Sequence, residues 1–382
     1  MKSPAATHPR RSGLMLELVT LTERPWNAET PRAALEERLT PNGQFFVRNH
    51  FDVPEVDPKT YLLHAEDLAR RPKGFTLAQL RSLPQRRVTA VLECAGNSRR
   101  SMVPRPPGLL WGDGAVGCAT WEGPSLRDLL AQVGPLSGVA EVLFGGADVG
   151  AEDGRMLRFE RSLPLAEALR EGVIVALRMN GEALSPEHGA PARLVVPGWY
   201  GVASTKWLVS VRLLERPFTG WFQRDRYVWS DGSPVTALRP KTLILRPADH
   251  ARVQAGPVSV RGRAWGSAGV EEAQVRADDG PYLSAALTET GEPNGWCRWS
   301  AVVGLAPGPH TVTARARDAW GQRQPLDPVV DPLGYGYNTA QAVRVEAVGS
   351  AQYANVIAMS GGLKEWVGEG FSIEEADGKG ER

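Results

Sequence analysis

Two kinds of hydrophobic spacing run along this chain, and the first predicts mixed helices and strands up to about residue 235. Val88 to Leu92 is a short apolar run typical of a buried strand. Ser125 to Val133 follows a Gly-Pro turn and spaces its leucines three and four residues apart, which predicts a short amphipathic helix capped by Ser125. Arg193 to Pro197 and Trp207 to Leu213 are β-rich runs. This part is therefore predicted to be α+β.

From about residue 245 the spacing changes to short alternating strands. Thr311 to Arg317 places Val312, Ala314 and Ala316 on one face and polar residues on the other. Residues 258–262 and 273–277 repeat this alternation, with turn signals at 279–281 and 307–309. About a hundred residues of this kind predict an immunoglobulin-like β-sandwich. We therefore divide the chain into domains at 1–240 and 241–350, followed by a C-terminal tail at 351–382.

Composition and charge exclude several kinds of partner. The 382 residues include 44 Lys and Arg against 43 Asp and Glu, a formal net charge of +1, with no basic or acidic block. We therefore expect no nucleic-acid partner and no binding to a membrane surface. The sequence has no apolar run of about 18 residues, so no helix is expected to span a bilayer.

The cysteines indicate a reducing compartment. Cys94, Cys118 and Cys297 are odd in number and lack the spacing of a disulfide framework or a structural zinc site. Leu14 to Leu21 contains Glu17 and lacks the small-residue cleavage site of a secretory signal peptide. We therefore expect a cytoplasmic protein, and we assign no chemical role to Cys118 or Cys297.

The segment from Leu92 to Arg100 has the composition of a chemical site. Cys94 follows the apolar run, Gly96 permits a close backbone approach, and Arg99 and Arg100 favour an ionised sulfur and attract an anion. A free cysteine is more often a small buried core residue. However, two guanidinium groups are costly beside a merely buried sulfur and favourable beside an anionic cofactor or substrate. The residue types therefore suit a soft metal ligand next to an oxyanion pocket.

Four other stretches combine basic residues, histidine or aspartate with glycine or aromatic residues in buried-looking sequence, at 45–50, 144–148, 187–193 and 198–207. Together with the cysteine segment they resemble the sulfite oxidase family of molybdenum enzymes. The resemblance rests on Phe-Val-Arg-Asn-His, Glu-Cys-Ala-Gly-Asn, His-Gly-Ala-Pro-Ala-Arg, Val-Pro-Gly and Lys-Trp-Leu, and it runs from Phe46 to about Asn338. It implies a molybdopterin-binding catalytic domain followed by an immunoglobulin-like dimerisation domain.

The resemblance also implies roles for individual residues. Cys94 is expected to ligate molybdenum directly, beside the dithiolene sulfurs of one pyranopterin. The implied cofactor cradle consists of Phe46, Val47, Arg48, Asn49, His50, Asp148, His188, Arg193, Ser204, Thr205 and Lys206. The implied catalytic residues around the substrate are Arg48, Arg99, Trp111 and Tyr227. These residue types fit the implied roles, because aspartate and histidine can form hydrogen bonds with a pterin ring. Basic groups can hold the phosphate of the pterin or an oxyanion.

The family's reaction is oxidation of sulfite to sulfate by oxygen-atom transfer. The sequence shows no haem arrangement and no flavin or nicotinamide fingerprint, so we expect a separate electron acceptor, either a redox protein or dioxygen. Leu333 stands where animal-type sulfite oxidases carry an additional substrate arginine, which leaves the identity of the anion open. Two alternatives remain, a molybdenum-dependent reductase of a sulfoxide or nitrate and a non-catalytic binding protein. The family further implies a homodimer.

Overall fold

The first part of the chain is built on two larger sheets and two small two-stranded ones, and one strand of a larger sheet ends at the predicted cysteine segment. A computed structural model describes residues 17–349, so the predicted tail at 351–382 lies outside the described residues. The strands are β1 (Val19–Glu23), β2 (Trp26–Glu29), β3 (Leu62–Asp67), β4 (Lys73–Thr76), β5 (Gln85–Glu93), β6 (Val116–Pro124), β7 (Glu141–Glu152), β8 (Arg155–Pro164), β9 (Ile174–Ala176), β10 (Arg178–Met179), β11 (Glu182–Ala183), β12 (Arg193–Val195) and β13 (Leu208–Leu214).

One sheet has the order β4-β3-β13-β7-β8 and the other the order β11-β10-β6-β5, while β1 pairs with β2 and β12 with β9. The first sheet is mixed, because β13 runs parallel to β3 and antiparallel to β7. The apolar run at Val88 to Leu92 lies inside β5, as predicted, and every residue of β5 from Ala90 to Glu93 is buried. The strand therefore ends directly before Cys94.

Short helices connect these strands. The α-helices are α1 (Leu77–Ser82), α2 (Leu126–Val133), α3 (Leu165–Ala168) and α4 (Trp221–Arg224), and the 3-10 helices are Arg32–Glu36, Asn42–Gln44, Arg99–Ser101, Pro186–His188 and Gly201–Ala203. The hydroxyl of Ser125 accepts a hydrogen bond from the backbone N–H of Asp128 at 3.0 Å, which is the predicted cap of α2. None of the helices in residues 17–349 is long and apolar enough to cross a membrane.

The second part is a sandwich of two sheets. Its strands are β14 (Lys241–Arg246), β15 (Ala251–Gln254), β16 (Gly256–Trp265), β17 (Val270–Ala277), β18 (Leu283–Ser284), β19 (Ala286–Thr288), β20 (Cys297–Leu305), β21 (Gly308–Asp318) and β22 (Gln341–Val348). The sheet orders are β14-β16-β20-β19 and β15-β22-β21-β17-β18. These orders follow the immunoglobulin arrangement. Val312, Ala314 and Ala316 are buried between the sheets, so the predicted α+β part followed by a sandwich is confirmed.

The connection between β21 and β22 leaves the sandwich and returns to the cysteine segment. The backbone N–H of Gly336 donates to the carbonyl of Ala95 at 2.7 Å. The carbonyl of Gly334 accepts a hydrogen bond from Nε of Arg99 at 3.1 Å. Residues from both parts of the fold therefore enclose the segment that begins at Cys94.

Candidate active site

Cys94 lies where the chain turns out of β5. Its backbone N–H donates to the carbonyl of Ala115 and its own carbonyl accepts from the N–H of Asn97, each at 2.9 Å. The thiol residue is only 8% exposed, yet it lines two separate cavities. A buried cysteine that lines two cavities is unlike a packed core cysteine. Cys118 and Cys297 line neither of these cavities, and burial raises the pKa of these thiols to about 12 and about 11.

The first cavity has a volume of about 740 Å³, including space open to solvent, which is the size of a cofactor site. We name it the cradle cavity. The predicted site residues that line it are Phe46, Arg48, Asn49, His50, Cys94, Asp148, His188, Arg193, Ser204, Lys206 and Tyr227. Lining residues without a predicted role are Phe45, Leu92, Ala95, Phe159, Glu187, Gly201, Val202 and Trp207.

Two residues predicted for the cradle, Val47 and Thr205, do not line it. Val47 is in an antiparallel bridge with Ala28, and both backbone hydrogen bonds of this pair are 2.9 Å long. The carbonyl of Thr205 accepts from the N–H of Leu194 at 2.8 Å. Val47 lies between two lining residues in extended chain, where successive side chains point to opposite sides, so its side chain packs behind the cavity wall. Thr205 is buried beside the cavity, and its hydroxyl has no hydrogen-bond partner among the described residues.

Two buried cations of the cradle have uncharged hydrogen-bond partners. Arg193 donates to the carbonyls of His188 and Ser204 at 3.2 and 3.0 Å, and Lys206 donates to Oδ1 of Asn49 and to the carbonyl of Glu187. Within residues 17–349, neither cation lies within ion-pair distance of a carboxylate. Burial lowers the pKa of Arg193 to about 9 and lowers that of Lys206 well below its usual value. A bound anion would relieve this cost.

The cradle also offers hydrogen-bond acceptors. Asp148 is 4% exposed, and its Oδ1 has no hydrogen-bond partner among the described residues. Burial raises the pKa of Asp148 to about 6, although Lys206 opposes the shift. Burial also lowers the pKa of His188 to about 4, and Nε2 of this ring donates to the carbonyl of Asn42 at 3.0 Å. Because the ring is neutral and Nε2 carries the proton, Nδ1 is an acceptor.

These groups fit the pyranopterin that the sequence implies. A pterin ring has N–H groups that can donate hydrogen bonds to the unpartnered carboxylate oxygen of Asp148. A phosphate suits Arg193 and Lys206, whose hydrogen-bond partners are uncharged. The thiol of Cys94 lies on the same cavity and can serve as a soft ligand to a metal held by the pterin.

The second cavity shares Cys94, Arg48, His50 and Tyr227 with the first, and we name it the substrate cavity. It has a volume of about 950 Å³, including space open to solvent. Its lining includes the predicted catalytic residues Cys94, Arg48, Arg99, Trp111 and Tyr227. The other lining residues are His50, Gly96, Pro107, Gly108, Leu109, Glu152, Asp225, Arg226, Leu333 and Tyr335. Arg100 is exposed and lines neither cavity, so only Arg99 of the predicted pair faces the site.

Arg48 is held in place by a chain of hydrogen bonds. Its guanidinium donates to the Tyr227 hydroxyl at 2.9 Å and to Nδ1 of His50 at 3.2 Å. Since arginine only donates, Nε2 of His50 carries the ring proton and donates to Glu152. Glu152 also accepts from Arg226 at 2.6 Å. Burial, followed by the charge of Arg48, lowers the pKa of His50 to about 4, so the ring is neutral near pH 7.

Tyr227 is arranged to donate a hydrogen bond into the cavity. Its oxygen accepts from Arg48, which leaves its own O–H free for another acceptor. Burial raises the pKa of Tyr227 although Arg48 acts to lower it, so the phenol stays protonated at neutral pH. Its backbone φ is 53°, an uncommon value for a residue with a side chain, and such strain is concentrated at functional sites.

Arg99 occupies a narrow slot. Its guanidinium donates to the carbonyls of Leu109 at 3.3 Å, Leu333 at 3.4 Å and Gly334 at 3.1 Å. A Cβ on Gly334 would lie 2.6 Å from Nε of Arg99, and one on Gly96 would lie 2.9 Å from Cζ. Glycine is therefore needed at both positions for the arginine to fit. Arg99 thus brings a fixed positive charge to the cavity.

Two residues that shape the substrate cavity, Glu152 and Tyr335, are not predicted from the sequence. Glu152 lies beside the turn between β7 and β8, where Asp153 and Gly154 give a clear hairpin signal. That signal predicts the turn but not the contact with His50, which is 102 residues away. The ring of Tyr335 packs beside the ring of Tyr227, with 5.5 Å between the ring centroids. No periodicity in the loop that carries Tyr335 predicts this contact.

Comparisons with known proteins agree with this geometry. The family described as oxidoreductase molybdopterin binding domain matches residues 50–222. The chain is 35% identical to sulfite oxidase of Gallus gallus over 353 residues, which cover 84% of this chain and 75% of that protein. It is 35% identical to mitochondrial sulfite oxidase of Drosophila melanogaster over 328 residues, which cover 78% of this chain but only 56% of that protein.

A solved structure is similar over almost the full length. The sulfane dehydrogenase SoxCD from Paracoccus pantotrophus matches with a TM-score of 0.77 and 25% sequence identity. The match covers 91% of this chain and 94% of the other chain. Both the α+β part and the sandwich are therefore shared with that enzyme.

Proposed function

Because this chain belongs to the sulfite oxidase family of molybdopterin-dependent oxidoreductases, we propose that it oxidises sulfite to sulfate at a molybdenum ligated by Cys94. The observation that carries the proposal is that this cysteine lines both cavities. The cradle cavity offers groups that suit the pterin and its phosphate. The substrate cavity offers two guanidinium groups and a phenol that suit a small oxyanion.

Each polar residue of the substrate cavity has a task in this proposal. The cofactor, when bound, supplies the oxygen-transfer and two-electron chemistry. Arg48 and Arg99 stabilise the negative charge of the substrate, and the O–H of Tyr227 donates to one of its oxygens. His50 and Glu152 act behind Arg48 and keep its guanidinium directed at Tyr227. Trp111, which is 1% exposed, provides a rigid wall.

The overall reaction balances with water as the oxygen source. Sulfite and water give sulfate, two protons and two electrons. We propose that the electrons pass to a separate acceptor, either a redox protein or dioxygen, and that the protein is a cytoplasmic homodimer. These parts of the proposal rest on the family and on the sequence.

The test compares two buried cysteines. Cys94→Ser removes the proposed metal ligand, whereas Cys297→Ser makes the same change in the sandwich, where the thiol lines neither cavity. We expect Cys94→Ser to lose nearly all sulfite turnover with ferricyanide as acceptor, and its circular dichroism spectrum to stay unchanged. Cys297→Ser should retain turnover.

Two further outcomes separate the alternatives. If sulfite fails to reduce the molybdenum-loaded enzyme under anaerobic conditions while a sulfoxide or nitrate reoxidises the reduced enzyme, the protein is a reductase. If well-folded protein from a host that makes the cofactor contains no molybdenum, the proposal is wrong and a binding role is favoured.

A further inference from the structure

The substrate cavity has an apolar side that is organised around Arg99. The backbone carbonyls of Leu109 and Leu333 accept hydrogen bonds from this arginine. The centroid of the Tyr335 ring lies 5.3 Å from Cζ of Arg99. The side chains of Pro107 and Trp111 extend the same lining. Leu333 is 39% exposed, which places it at the outer edge of the cavity. The outer edge of the cavity therefore includes an apolar residue next to Arg99.

Another side of the cavity is charged and is organised around Arg48. His50, Glu152 and Arg226 form the hydrogen-bonded chain behind this arginine. Tyr227 joins the two sides, since its hydroxyl accepts from Arg48 and its ring packs beside Tyr335. The cavity thus has one charged side around Arg48 and a second side where the guanidinium of Arg99 lies among apolar residues.

Most guanidinium N–H groups at this site already have protein acceptors. Arg99 donates three of its five N–H groups to backbone carbonyls. Arg48 uses four, on Asn27, Asn49, His50 and Tyr227. The site therefore supplies positive charge but only a few free donors. It does not surround an anion with donors on all sides.

We propose that the site also oxidises organic sulfinates, R–SO₂⁻, and that Leu109, Leu333 and Tyr335 bind the R group. This inference rests on the proposed function and widens its substrate class. A sulfinate has charged oxygens at one end and an apolar substituent at the other, so it matches the two unlike sides of the cavity. With sulfite, the apolar side would contact only water or the third oxygen.

The chemistry of the two substrates is the same. In each, a lone pair on sulfur forms a new bond to an oxygen that derives from water. The sulfinate and water give the sulfonate R–SO₃⁻, two protons and two electrons, and the electrons leave through the cofactor to ferricyanide, which is reduced. The bond between sulfur and R stays intact.

The kinetic test uses sulfite, methanesulfinate and benzenesulfinate with the molybdenum-loaded enzyme. We expect kcat/KM for benzenesulfinate to exceed that for methanesulfinate by about tenfold, since the ring fills the apolar side. Leu333→Ser should reduce the ratio of the benzenesulfinate to the sulfite value by about tenfold, mainly through KM. Val329→Ser is the matched control, because Val329 is 58% exposed in the same connection and does not line the cavity.

A binding measurement does not depend on turnover. Titration calorimetry of the resting enzyme should detect benzenesulfonate binding more tightly than sulfate, and Leu333→Ser should abolish the difference. If sulfite is oxidised but benzenesulfinate is neither oxidised nor competitive, this inference is wrong and the proposed function stands. If none of the three compounds is oxidised, the proposed function itself fails. Equal effects of Leu333→Ser and Val329→Ser would also refute the inference.

Discussion

The surroundings of Asp148 favour a bound cofactor. The carboxyl is almost fully buried, and one oxygen has no partner in the described chain. An unpartnered acceptor in a protein interior is costly unless a ligand supplies a donor. Lys206 limits the cost through its charge, but burial still raises the pKa from 3.8 to about 6. The residue is therefore suited to the cofactor-bound state more than to the empty one.

This shift predicts a pH dependence of the cofactor-free protein. Between pH 4 and about 6 the folded carboxyl holds its proton while the unfolded one has lost it, so stability falls as the pH rises. The fall should amount to about 3 kcal/mol in the free energy of unfolding. Asp148→Asn should remove it, as measured by denaturant titration across that pH range.

The exposed Asp153 provides a control, since Asp153→Asn should keep the decrease in stability between pH 4 and 6. Asp148→Asn should also retain less pterin after purification. An unchanged pH dependence in Asp148→Asn would show that another group is responsible.

At the scale of elements, strand β14 of the sandwich holds the end of strand β5. Lys241 forms a buried ion pair with Glu93 at 3.0 Å, and Nε1 of Trp265 donates to the other carboxylate oxygen at 2.8 Å. Lys241 also donates to the hydroxyl of Ser98 at 2.9 Å. Glu93 directly precedes Cys94, so these contacts from the sandwich position the proposed metal ligand.

Lys241→Met should therefore destabilise the protein strongly. It leaves the carboxylate of Glu93 buried without its cation, and breaking a buried pair in this way costs about 3–5 kcal/mol. The double variant Glu93→Gln/Lys241→Met should recover part of the loss, because a neutral amide can still accept from Trp265. Chemical denaturation of the three proteins measures this, and equal stability of the single and double variants would contradict the argument.

At the scale of the whole molecule, the two parts of the fold share one site. The connection after β21 supplies Leu333 and Tyr335 to the substrate cavity, and β14 supplies Lys241 behind Cys94. The sandwich is therefore more than an appended module, because removing it would also remove part of the substrate cavity.

The proposed homodimer is a prediction at this same scale. A formal net charge of +1 gives little electrostatic repulsion between copies, and closed twofold association is the commonest form of oligomer. Analytical ultracentrifugation at micromolar concentration should give about twice the chain mass of 41.4 kDa. A single species at the chain mass would contradict the prediction.

The sequence by itself determined the elements and the chemical type of the site. Alternating Val312, Ala314 and Ala316 specify a sandwich strand, and Ser125 specifies the start of α2, because these signals are local. The cysteine segment and its companions gave the family, and most predicted cradle residues do line one cavity.

The tertiary structure decided which side chains face the site. Val47 points away because extended chain alternates its faces, Thr205 does not line the cavity, and Arg100 is exposed while Arg99 is buried. Glu152 reaches His50 across 102 residues, and Leu333 meets Arg99 across 234. Contacts at such separations depend on how the sheets and the sandwich pack together, and no local pattern in the chain encodes them.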